Sequence, residues 1–225
     1  FTLLLLSSGA VVGVFNYQQT SHIILSSSEQ LFTRIRQEMQ VDLDHTYTPI
    51  RHVLNLLALN PNTRLIDAKG REQVLPAFAQ ALSDNPKLAS LYLGYPDGDF
   101  MMVRPLRTDA QRQLFDAPSE AAFQLWSIDR SANDNNSSYQ FFDAQLNLLR
   151  RIQRPVEQYD PRQRTWYVNA REQQTQITTA PYAFFSTHEV GTTLARQIGN
   201  DVVLGADLTL SNLCATLAKH KITPS

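Results

Sequence analysis

The chain has 225 residues, 43% apolar and 18% charged, enough for one globular domain with an appendage or for two small ones, and unlike either a disordered tail or a fibre. Its 20 Lys and Arg against 21 Asp and Glu leave a formal charge of -1, without the basic footprint of a nucleic-acid binder, so no nucleic-acid partner is expected. The lone cysteine, Cys214, can form neither an intrachain disulfide nor, by itself, a thiolate metal site, and packing must hold the fold.

Phe1 to Phe15 carries no charge and is apolar apart from Thr2, Ser7, Ser8 and two glycines. As helix, residues 1–15 would rise roughly 22 Å, short of the roughly 30 Å hydrocarbon core, so they read as the outer end of a membrane helix. A signal-peptide core is the alternative, but no A-x-A-like site follows.

From residue 16 to 59, Phe32, Ile35, Met39, Leu43, Tyr47, Ile50, Leu54 and Leu57 recur at steps of three or four, the spacing of one helix face. One helix of that length extends roughly 65 Å, which suggests that part of it projects or pairs with a second copy in a homodimer. Pro49 predicts a kink over 46–49. Asn60 to Thr63 (NPNT) ends the helix, and Glu72 to Leu82 predicts a shorter one.

Leu88 to Gly94 and Phe100 to Pro105 are strand-like runs around YPDGD, a hairpin signal. Ala121 to Ile128 and Tyr139 to Leu146 are further extended candidates, separated by the polar run DRSANDNNSS, which reads as a solvated loop. Arg162 to Gln173 predicts a helix with Asp160 as N-cap and Pro161 at its first position. Pro181 to Ser186, Thr192 to Ile198 and Val202 to Leu208 read as closing strands, and Ser211 to about His220 as a last helix, after which Ile222 to Ser225 brings no closing element. Strands joined by short polar turns pair antiparallel. The expected class is therefore α+β, a long N-terminal helix followed by an antiparallel sheet flanked by helices.

The run YDPRQRTWY at 159–167 places three aromatics and two arginines in nine residues at a loop-to-helix junction. Arg offers a planar fork of donors to a carboxylate, and Tyr and Trp add directed donors on rigid apolar bodies, a composition suited to a small-ligand pocket. Aromatic and arginine clusters also build cores and capping ion pairs, so both readings stand at this point. Asp207 lies in the apolar run VVLGADLTL, where a buried carboxylate needs a partner. A ligand ammonium or Arg164 could supply one; capping of the following helix is the alternative. Arg162 suggests surface or capping contacts, and Arg104 and Asp143 are candidates for supporting positions.

His45 and His52 are seven apart, too far for the i, i+4 chelate, and no third ligand is placed, so no metal is expected. There is no G-x-S-x-G, H-E-x-x-H or C-x-x-C, and Gly94, Gly98 and Gly205 form no phosphate-cradling loop. Neither catalysis nor a cofactor is expected.

YDPRQRTWYVNA, followed by ITTAPYAFFST and VVLGADLTLSNL, resembles the double Cache family of extracytoplasmic sensor domains, whose members show a Y-D-x-R-x-R-x-W-Y run, a later P-Y strand and a G-x-D closing strand. The hairpin LASLYLGYPDGDFMMVRP resembles the family's opening strands. The resemblance spans nearly the whole chain. It implies residues 1–15 as the end of a transmembrane helix, 16–59 as a long helix, 60–210 as a membrane-distal PAS-like module, and 211–225 as a connection toward a membrane-proximal module. It further implies a periplasmic region of a bacterial inner-membrane receptor, with a kinase, chemoreceptor tail, cyclase or phosphodiesterase as cytoplasmic output. Family members that bind amino acids hold the carboxylate with residues matching Tyr159, Arg164 and Trp166, with Tyr167 in the wall, and the ammonium with residues matching Tyr182 and Asp207. Where the family pattern has an acidic residue, this chain has Phe184. That departure leaves open a carboxylate without an amine, a bulkier apolar amino acid, or a pocket-less module that only spaces and dimerises a receptor. An exported hydrolase would need an acid-base pair that the sequence does not offer.

Overall fold

A computed structural model describes residues 44–64, 68–130, 136–155 and 158–211, with single positions at 33, 34, 37 and 41. The expected membrane segment 1–15, most of the helix before residue 44, and the last helix and connection beyond Ser211 lie outside the described residues. The chain divides into two units, 1–46 and 47–225. In the first, every described residue is helical. Among the described residues no helix is long and apolar enough to cross a membrane.

The second unit opens with helix α1, residues 47–59, which includes Pro49. Its apolar stripe of Ile50, Leu54 and Leu57 is buried, while His52, Leu56 and Leu59 are exposed. A 3-10 turn, Pro61–Arg64, follows the break at Asn60. The single helix expected over 72–82 is two: α2, Ala68–Glu72, and α3, Leu75–Asp84. Pro76 explains the restart, since proline is accommodated in a first helical turn and not in the interior.

Nine strands among the described residues form one antiparallel sheet. They are β1 (Leu88–Gly94), β2 (Phe100–Pro105), β3 (Phe123–Asp129), β4 (Asn136–Phe142), β5 (Leu148–Arg154), β6 (Ile177–Thr178), β7 (Tyr182–Ala183), β8 (Val190–Gln197) and β9 (Val203–Thr209). The order is β5-β4-β3-β2-β1-β9-β8-β6, with β7 also on β8. Two helices complete the unit, α4 (Asp109–Leu114) and α5 (Thr165–Gln173). The α+β class and antiparallel sheet expected from sequence are what the chain adopts.

The polar run after Asp129 is not loop throughout. Asn136 to Ser138 belong to β4, where buried Ser137 accepts a hydrogen bond from the Trp126 indole at 3.2 Å. A buried indole N–H requires such a partner.

Side-chain alternation divides the sheet into two faces. Leu91, Leu93, Val103, Leu125, Leu204, Ala206 and Leu208 pack with α1 and α3 into an aliphatic core. Tyr92, Phe100, Met102, Trp126, Tyr139 and Val203 point the other way and meet Tyr159, Trp166, Tyr167 and Ala170 in an aromatic core. Each fully buried side chain contributes roughly 1.5–3 kcal/mol. The aromatic face is where the polar residues of the sheet centre also point.

A cavity on the aromatic face

The helix expected over Arg162 to Gln173 is broken at Arg164 into a 3-10 turn and α5. Asp160 accepts from the Arg162 backbone N–H at 2.9 Å and caps a 3-10 turn, Pro161–Gln163. Arg162 turns back to Asp160 at 2.7 Å on the surface. Its hydrogen bonds to Asp160 hold that carboxyl below its ordinary pKa. Arg164 then steps out to φ −89°, ψ 138° and becomes the N-cap residue of α5. Its carbonyl accepts from the Tyr167 and Val168 amides at 2.9 and 3.1 Å. This break leaves the Arg164 side chain off the helix ladder, with its guanidinium 5.7 Å from the Tyr159 ring centroid and 6.0 Å from that of Phe185.

Arg164 lines a cavity of about 390 Å³, within the roughly 300–1,000 Å³ typical of small-molecule pockets. Of the seven residues singled out from sequence, Tyr159, Arg164, Trp166, Tyr182, Phe184 and Asp207 all line it. Tyr167 does not. Its ring packs at 5.6 Å edge-on to Trp166 and its hydroxyl donates to the Asp201 carbonyl at 2.8 Å, so it supports the indole from outside the hollow. Asp143 is not there either. It accepts from the amides of Gln145 and Asn147 and from the Asn147 side chain in an exposed turn, bonds that lower its pKa.

Trp166 can approach β1 closely because Gly94 has no side chain. A Cβ there would sit 2.6 Å from the indole Cη2. Tyr92 meets the indole edge-on at 4.8 Å. Trp126 and Tyr159, 5.1 Å apart, continue the apolar wall.

Asp207, on β9, is 5% exposed. Its partners are neither Arg164 nor a following helix but three hydroxyls. Antiparallel register sets Thr193 of β8 and Ser90 of β1 directly beside it. Thr193 donates to Oδ1 at 2.6 Å and Ser90 to Oδ2 at 2.9 Å. Tyr92, two residues along β1 from Ser90, donates to Oδ1 at 2.6 Å. With its proton committed to Asp207, Thr193 accepts from the Tyr182 hydroxyl at 2.6 Å, so Tyr182 lies in the same chain of donors. Burial pushes the Asp207 pKa up, and the three hydroxyl bonds oppose it. Burial, then the nearby Asp207 charge, raises both Tyr92 and Tyr182, so both phenols stay protonated donors at neutral pH.

Arg104 of β2 also lines the cavity and is 5% exposed. Its Nη2 donates to Ser186 Oγ at 2.8 Å and reaches Met102 Sδ at 2.8 Å, and the guanidinium lies 4.4 Å over the Phe115 ring. Burial pulls its pKa down to about 10, which leaves it charged at neutral pH. The site thus sets two arginines and a buried carboxylate around one aromatic hollow. Ser90, Tyr92 and Thr193 escaped notice in the sequence, although hydroxyls at 90 and 92, alternating in an otherwise apolar strand, were the available signal. His45 and His52 are both exposed, and no group of three metal-ligating side chains occurs among the described residues.

A PAS-like antiparallel sheet carrying a ligand-sized hollow on one face is the fold of Cache-type sensory domains, and the chain adopts it. No family model matches the sequence. The chain is 28% identical over 177 residues to adenylate cyclase 1 of Rhizobium meliloti (strain 1021), an alignment covering 76% of the chain and 26% of the cyclase. Among solved structures, it resembles the ligand-binding domain of the Campylobacter jejuni chemoreceptor Tlp3 in complex with L-valine, at TM-score 0.54 and 17% identity over 84% of this chain and 61% of that one. The Tlp3 sensory domain without a named ligand gives TM-score 0.54, 17% identity and coverage of 84% and 62%. The chain therefore spans about a quarter of the cyclase and under two thirds of the receptor domains.

Proposed function

We propose that this chain is an extracytoplasmic small-molecule sensing domain of a bacterial transmembrane receptor, and that its ligand is an amino acid or a related carboxylate or amine. The observation that carries this reading is the presence of Arg164 and Asp207 on one hollow floored by Trp166. A guanidinium matches a carboxylate in geometry and charge, and the Asp207 and Tyr182 group offers acceptors to an ammonium. The C. jejuni receptor domain of the same fold is complexed with L-valine, which supports an amino acid. Phe184 on the wall favours an apolar or amine-poor portion facing it.

Ligand binding would act by favouring one of two pre-existing arrangements, in proportion to the difference in affinity for them. Catalytic output, such as the cyclase activity named for the R. meliloti relative, would then belong to another part of a receptor polypeptide, with this domain on the periplasmic side of the inner membrane. A purely structural, dimerising module is the other reading from sequence. A hollow of this size lined by opposite charges favours sensing over it. A thermal-shift screen of amino acids, organic acids, amines and purines tests the proposal: at least one carboxylate-bearing compound is expected to raise the melting temperature, and no response from any of them would refute it.

A further inference from the structure

Among the described residues, other arginines that reach into the fold meet a carboxylate or backbone carbonyls. Arg71 faces the carboxylate of Asp99 at 2.6 Å. Arg107 donates to the Leu88 and Leu82 carbonyls at 2.7 and 2.8 Å, and Arg112 to those of Ala121 and Leu106 at 3.1 and 2.9 Å. Arg104 has no such direct match, although the Asp207 and Glu189 carboxylates, which line the same cavity, attract it. Among the described residues no carboxylate lies within ion-pair distance of it, and its Nε, like that of Arg71, is buried without a hydrogen-bond partner. Its contacts are one hydroxyl, a thioether sulfur and an aromatic face, all neutral and the sulfur a weak acceptor.

The environment repeats the deficit. Gln124 is the cross-strand partner of Arg104, so the two side chains share the aromatic face of the sheet. Gln124 is fully buried, and among the described residues both its carboxamide Oε1 and Nε2 lack partners. Glu189 also lines the cavity but is exposed and not ion-paired with Arg104. A charge held out of water without a directly bonded counter-ion is unfavourable, and protein interiors keep such groups where something else completes them. Arg104 borders the same cavity as Arg164, which also has no carboxylate partner among the described residues. A ligand with one carboxylate satisfies one arginine and leaves the other unmatched.

We infer that Arg104 is a second anion-binding point of the cavity and that the ligand carries two carboxylates, one for each arginine. This rests on the sensing role proposed above and narrows its ligand to dicarboxylates, with or without an amine. Asp207 and its hydroxyls tell the two apart: an α-amine gains an acceptor there, whereas a plain dicarboxylate does not.

The test is calorimetric titration of the chain with L-aspartate, L-glutamate, succinate and glutarate against L-asparagine, L-valine and butyrate. At least one dicarboxylate is expected to bind roughly tenfold or more tighter than its monocarboxylate counterpart, the measure of one charge-assisted hydrogen-bonded contact. Arg104→Met is expected to erase that difference, and Arg104→Lys to reduce it by losing the planar fork. Glu189→Gln, which removes a competing anion, is expected to tighten dicarboxylate binding. The comparison within the wild-type chain decides the matter even if Arg104→Met fails to fold. Monocarboxylates binding as tightly as dicarboxylates, or a preference that survives Arg104→Met, would overturn this inference and leave the sensing role standing. No binding by either set would overturn the carboxylate reading of the site together with it.

Discussion

The Tyr92 ring lies over Gly205 and its hydroxyl donates to Asp207, two residues further along β9, at 2.6 Å. A side chain at 205 would occupy the space of the ring, with its Cβ 2.2 Å from Tyr92 Cε2. Gly205→Ala must therefore displace the tyrosine and with it a hydroxyl donor to Asp207. The expected loss is about 1–3 kcal/mol, typical of overpacking in a close-packed core. Chemical denaturation of wild type and variant checks it, and equal midpoints would contradict the close approach.

Asp207 itself gives a pH prediction. Burial raises its pKa above the value in the unfolded chain, so the folded chain binds the extra proton over the window between the two. That stabilisation is complete below the ordinary aspartate pKa and is lost as pH rises through the raised one. Asp207→Asn removes the charge at every pH. The difference between wild-type and variant melting temperatures is expected to favour the variant increasingly as pH rises through that window. A difference that stays constant with pH would show that the three hydroxyl bonds cancel burial, and one that favours wild type more at neutral pH that they outweigh it.

Arg71 and Asp99 pin α2 to the hairpin turn, and both are buried. Arg71→Met strands the Asp99 carboxylate, an effect of about 3–5 kcal/mol where a buried pair loses one partner. Adding Asp99→Asn is expected to recover part of this. A double-mutant cycle read by urea denaturation measures the coupling, and additive single effects would refute it.

Thr108 and Gln111 form a reciprocal capping box at the start of α4, which borders the cavity. Thr108→Ala is expected to cost about 1 kcal/mol. Because α4 is short, the effect should be local: faster amide exchange over residues 109–114 with little change in β1 or β9. Uniform acceleration across the sheet would mean that α4 is integral to the global fold.

The hairpin β1–β2 was legible to the residue because its apolar runs flank Pro96-Asp97-Gly98, with Gly98 at φ +91° in the turn. Helix α4 was not, since six residues with none buried show no apolar period, although Thr108 and Gln111 carried the capping signature. Strand β5, LLRRIQR, lies at the sheet edge and is mostly exposed, so it lacks the inward alternation that marks a strand. The site divides in the same way. Tyr159, Arg164 and Trp166 sit in one short run, and a density of such side chains can be read locally. The partners of Asp207 come from β1 and β8, and only pairing register, a long-range property, brings Ser90 and Thr193 beside it.

The most direct measurement is the affinity of the best carboxylate ligand from the screen for wild type, Arg164→Ala and Asp207→Ala, with circular dichroism confirming that each variant folds. Arg164→Ala is expected to weaken binding at least a hundredfold, about the effect of removing a charged hydrogen-bonding partner from a desolvated site. Asp207→Ala is expected to weaken amine-bearing ligands similarly. Folded variants that bind as tightly as wild type would contradict the assignment of this cavity as the sensing site.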